Sequence, residues 1–152
     1  MNSLGITEVE TFRKDEIAKI QLAELIELFV AENFICAITL AGASEELFAG
    51  LVRSQGKSPA IEDSYIQIES IQDETSLNVM ERKKKRDVIR DWNHVKNRTK
   101  HHDKDESEVI EFNACDEAYW LIKRSLANCK LLGMSISNEN TFENWVIVKA
   151  CL

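Results

Sequence analysis

Proline is nearly missing from this chain: there is one in 152 residues, with only five glycines beside it. So few breakers argue against a fold of many short strands joined by tight turns, and favour long helices. No uninterrupted apolar run reaches the roughly 18 residues of a membrane span. The longest, Phe34 to Ala43, is ended by Glu45 and Glu46. Met1 to Ile6 lacks the basic-then-apolar layout of a signal peptide, so a cytoplasmic protein with no membrane partner is expected. The cysteines Cys36, Cys115, Cys129 and Cys151 form no Cys-x-x-Cys pair. Reduced, buried thiols are therefore expected, not a disulfide framework or a zinc site. There is no low-complexity linker and no internal repeat, so the chain reads as one domain.

What is present is mostly helical periodicity. Ala18, Leu22, Leu25, Ile26 and Phe29 predict a helix from about Arg13 to Ala31, after a loose arm over residues 1–11. Asn33 is placed to cap a second helix, about Phe34 to Gln55, closed by Gly56 with Pro59 shortly after. Its start is apolar nearly all round, which marks a central helix. Gly42, Ala43 and Ser44 are small enough for another helix to approach closely. Residues 57–75 suggest only a short helix around Tyr65, Ile66, Ile68 and Ile71, and Thr75 to Lys85 a further turn or two. Val109 to Phe112 look extended. Asn113 with Asp116 opens a helix to about Leu132, with Ala118, Tyr119, Ile122, Leu126 and Cys129 inward, and Lys123 and Arg124 pointing away. Thr141 to Leu152 reads as a short final helix whose apolar face suits an oligomer contact, although Trp145 to Val148 has strand propensity. The expected fold is all-α, an up-and-down bundle of four long helices plus short ones.

The charge is uneven. The formal net charge is −7, yet residues 82–102 carry nine Lys or Arg against Asp87 and Asp91, a local +7, which leaves −14 elsewhere. A basic segment on an acidic body suits a polyanion, an acidic partner surface, or acids of the same chain. Arg86 to Asp103 is expected to be one helix with an apolar stripe of Val88, Trp92, Val95 and Thr99. A second stripe, Arg90, His94, Asn97 and His101, gathers an arginine, an amide and two imidazoles, suited to holding a phosphate and moving a proton. Glu45 shares a stripe with Phe34, Ile38, Ala41, Phe48 and Val52, so it should be buried. A buried carboxylate must be paired or protonated, and cations of the basic segment are the expected partners. A functional acid or base at Glu45, or an exposed one, are the other readings.

Two stretches, Ala-Ile-Thr-Leu-Ala-Gly-Ala-Ser-Glu-Glu (Ala37 to Glu46) and Lys-Asn-Arg-Thr-Lys-His (Lys96 to His101), occur in the order found in one family. Together the chain resembles the HEPN-like superfamily, the higher eukaryote and prokaryote nucleotide-binding group, over roughly residues 13–150. The resemblance implies an all-α, usually dimeric bundle, many of whose members are metal-independent ribonucleases or toxins. Carried over, Asn97 is the polar motif residue, His101 the proton-transfer residue, and Lys96 stands at the arginine position. Lysine keeps the charge but lacks the planar bidentate fork. Arg90, His94, Lys100, His102 and Glu45 complete the candidate site as substrate-binding residues. Three functions are open. One is a non-catalytic homodimeric or partner-bound module, one is RNA cleavage through His101, and one is RNA or nucleotide binding without turnover. No cofactor is expected, and a metal held by Glu45, Glu46, His101 and His102 is the least favoured arrangement.

Overall fold

The periodic segments become helices in the computed structural model, which describes residues 8–151. Most of the expected N-terminal arm, and the Met1 to Ile6 stretch with it, lies outside the described residues, as does Leu152. The elements are α1 (Lys14–Val30), α2 (Phe34–Ser54), α3 (Ala60–Thr75), α4 (Lys85–Trp92), α5 (His94–Arg98), α6 (Ala114–Leu131) and α7 (Glu139–Ala150). Among the described residues there is no strand, so the fold is all-helical.

The core forms where three apolar stripes meet. Leu22, Leu25, Ile26 and Phe29 of α1 are fully buried against Ile38, Ala41 and Phe48 of α2 and Ala118 and Ile122 of α6. Helix α2 lies between α1 and α6, which is why its apolar residues run nearly all round. By length and composition α2 could cross a membrane, and half of that stretch is buried in this fold. Counting uninterrupted runs misses it, because Glu45 and Glu46 break the run without lowering the average much. At one end of the core Phe29 packs edge-on to Phe34, Phe142 and Trp145 at 5.2, 5.3 and 4.7 Å, which fixes α7 across α1.

Turn chemistry sets the boundaries. Gly56 takes a φ of +71° just past α2, as its place after the helix predicts. Asn113 accepts a hydrogen bond from the Asp116 amide at 3.1 Å and caps α6. Asn33 stands before α2 without a capping bond from its side chain. At the far side, the start of α3 and the end of α6 are tied to each other's segments. The Asn128 side-chain Oδ1 accepts from the Ala60 amide at 2.7 Å, and the Lys57 ammonium, from the turn before α3, donates to the Leu131 backbone carbonyl at 2.7 Å.

Several expectations are corrected. Helix α3 is a full 16 residues, not a short piece, and residues 76–84 after it are not helical. Its buried residues include Ile61, Tyr65 and Gln72, a stripe whose last member is polar and accepts from the Met80 amide. The basic helix is two short helices that break at Asn93, each shorter than α3. Arg124 turns inward from α6 instead of pointing away, while Trp120 is 62% exposed. Val109 to Phe112 pair with no strand.

Candidate functional site

Helix α5 reaches the core of the molecule through a single side chain. Lys96 is 4% exposed and lies across α2, where Gly42 leaves room for it: a Cβ on Gly42 would meet Lys96 Cγ at 3.0 Å and Cδ at 3.1 Å. The ammonium ends 3.1 Å from Glu45 Oε2 and 3.1 Å from Glu46 Oε1. Glu45 is itself 3% exposed, and the basic segment supplies the partner that a buried carboxylate needs. Lys100, one turn on, reaches Glu46 at 3.3 Å. Burial alone would push the Glu46 carboxyl up, but the hydrogen bonds and charges of Lys96 and Lys100 outweigh it and hold that carboxyl below its usual range.

The other residues singled out by sequence lie on the opposite side of this segment. Asn97 is exposed, and His101 follows one turn later, its amide donating to the Asn97 carbonyl at 3.1 Å. His94, His101 and His102 are all exposed. Arg90 is exposed and held by Asp87 at 3.0 Å. Lys96 and Glu45 therefore meet inside the fold, while Asn97, His101 and Arg90 face solvent on the outside. Lys96 does not converge with Asn97 and His101, because adjacent residues on a helix diverge by about 100°. Among the described residues no three His, Cys, Asp or Glu side chains come together as metal ligands, so Glu45, Glu46, His101 and His102 do not form one site.

The basic segment is matched almost charge for charge. Arg82 pairs with Asp73, Lys83 with Glu81 and Asp91, Lys85 with Glu62, and Arg86 and Arg90 with Asp87. Arg98 pairs with Glu106 at 3.1 Å, which ties the loop after α5 back onto it. With Lys96 and Lys100 on Glu45 and Glu46, Lys84 is the one basic residue of the segment left without an ion pair among the described residues. One contributor, Arg124, is not evident in the sequence. Arg124 donates to Asn93 Oδ1 at 3.2 Å, so α6 holds the joint between α4 and α5. Burial lowers the Arg124 pKa, with the charges of Glu45 and Glu117 opposing it, so Arg124 shares the field of the Glu45 carboxylate. The pairing of acids with this segment could be anticipated from the −14 body, but the inward turn of Arg124 had no sequence signal.

Chemically, the buried Lys96 ammonium is already engaged. The ammonium's acceptors are two carboxylates, and its stem fills the groove over Gly42. The solvent face can still offer an imidazole and an amide one turn apart. Comparison with family models, curated proteins and solved structures finds no match to this chain.

Proposed function

We propose that this chain is a HEPN-like helical module that acts as a cytoplasmic homodimer or partner-bound subunit, with its motif lysine serving the fold rather than phosphate chemistry. We read its long helices as an up-and-down bundle. One observation carries the proposal: Lys96, at the position where the family's ribonucleases carry an arginine, is 4% exposed and bound by Glu45 and Glu46. A phosphate would have to displace both carboxylates to reach it. The neutralised basic segment adds support, since an RNA would compete with acids already in place. Exposed Ile147 and Val148 on α7 suit an apolar contact between copies.

RNA cleavage is the second reading, and one observation favours it. Asn97 and His101 stay one turn apart on an open surface, where a second protomer could bring a matching pair. The deciding experiment is sedimentation of the purified protein with and without RNA, followed by incubation with RNA in chelator. The proposal expects a dimer indifferent to RNA and no cleavage. Metal-independent cleavage leaving 2′,3′-cyclic phosphate ends, abolished by His101→Ala, would replace it with the nuclease. RNA binding without cleavage, weakening steeply with salt, would establish the binding-only function instead.

A further inference from the structure

Between α3, α4 and α6 lies a cavity of about 500 Å³ that Lys96, Asn97 and His101 do not line, a volume suited to a small molecule. Ile68 and Ile71 of α3 and the indoles of Trp92 and Trp120 form its apolar walls. Two charged side chains of α6 face the same space. Arg124 uses Nη1 on Asn93, and its Nε–H is buried without an acceptor. Glu117 lies two turns earlier on the same face of α6, and its carboxylate has neither a hydrogen bond nor an ion pair among the described residues. Helical side chains lean towards the N-terminus, so the long Arg124 chain reaches back towards Glu117. The two form no ion pair at contact distance among the described residues, although each feels the other's charge. Burial drives the Glu117 carboxyl up and the Arg124 guanidinium down. Asp91, also on the lining, is matched by Lys83 at 3.1 Å.

The cavity thus presents a cation and an anion side by side on α6, neither held by an ion pair among the described residues, beside apolar walls. A simple anion would satisfy Arg124 and be repelled by Glu117. A phosphate dianion would bring two charges to one cation, and an amine would reverse the conflict. A molecule carrying both signs meets both groups. We propose that this cavity binds a small zwitterion with an apolar body, of the free α-amino acid class. Its carboxylate sits on Arg124, its ammonium on Glu117, and its side chain between Trp92, Ile68 and Ile71. This site is separate from the Lys96 cluster and does not depend on the function proposed above.

Isothermal titration of the whole protein with L-phenylalanine, 3-phenylpropionate and phenethylamine tests the assignment, since each analogue deletes one of the two charges. Saturable binding of L-phenylalanine is expected, with each analogue weaker by about tenfold or more, the usual cost of a lost charged hydrogen bond. In Glu117→Gln, a near-isosteric change, L-phenylalanine should bind no better than 3-phenylpropionate does. Arg124→Met should weaken L-phenylalanine and 3-phenylpropionate together. Because Arg124 also holds Asn93, Glu117→Gln remains decisive if the arginine variant fails to fold. No saturable heat with L-phenylalanine, or equal binding of the zwitterion and 3-phenylpropionate, overturns the proposal. So does a second copy covering the slot, seen as a dimer that Trp120→Ala dissociates and L-phenylalanine leaves intact.

Discussion

Helix α2 is buried at two junctions of opposite character. Against α1 and α6 it presents Ile38, Ala41 and Phe48, all fully buried in hydrocarbon. Against α5 it presents Gly42, Glu45 and Glu46, which receive the stem and ammonium of Lys96. The first junction is non-directional: area removed from water sets its strength, and moderate changes of shape are tolerated. The second joins only when partner and register are correct, because an unmatched ion at that depth is costly. The apolar junction makes the molecule fold, and the ionic one determines where the α4–α5 segment lies on it.

The largest effects should separate the two kinds of junction. Phe29→Ala removes a ring that touches three other aromatics, and should cost about 3–5 kcal/mol in denaturant unfolding. Lys96→Met should cost about as much, some 3–5 kcal/mol, by stranding the Glu45 carboxylate. The two losses should respond differently to a second change. Glu45→Leu added to Lys96→Met should restore most of the stability, whereas no such neighbour rescues Phe29→Ala. If the double variant is as unstable as Lys96→Met alone, the junction is not governed by charge.

Gly42→Ala should have a middling effect. The new methyl meets Lys96 Cγ at 3.0 Å, so the lysine stem must shift, at about 1–3 kcal/mol for overpacking. If thermal unfolding of this variant matches the parent, the groove is looser than the contact implies. The smallest effect is in pH. Glu46 is held below its usual range by Lys96 and Lys100, so its stabilisation is complete above the unfolded value of about 4.3 and is lost as pH falls through the lower folded value. Unfolding curves from neutral pH down to acid should show this loss in the parent and a reduced one in Glu46→Gln. Identical pH profiles would remove Glu46 from the ionic junction.

The contrast also explains what could be read in the sequence. The apolar junction was legible because burial repeats with the helical period: Ala18, Leu22, Leu25, Ile26 and Phe29 were expected inward and are buried. Gly56 and Asn113 announced their turns through backbone chemistry that few residues share. Glu45 stood out because a carboxylate on an apolar stripe needs a partner, and the basic segment supplies it. What stayed hidden depended on geometry between segments. In the sequence the stripe of Val88, Trp92, Val95 and Thr99 runs on without a fault, so periodicity carries no sign of the break at Asn93, after which Lys96 is the buried residue of α5. Arg124 could turn either way, since its long chain can cross from one helix face to the next, and partners on other segments, Asn93 and the Glu45 charge, draw it in. Which of the clustered Lys and Arg residues would be buried was equally closed to a reading by type alone.

The end-to-end bonds between α3 and α6 carry a consequence for how the chain assembles. The Ala60 amide finds its acceptor in Asn128, and the Leu131 carbonyl finds its donor in Lys57, so neither helix end is satisfied by its own neighbours. An isolated α3 would begin with an orphan donor, and an isolated α6 would finish with an orphan acceptor. Closing the two contacts spans more than sixty residues of chain, which places this step after the local turns of α1 and α2. Once closed, the start of α3 and the last turn of α6 act as one cooperative unit, opening and protecting their amides together.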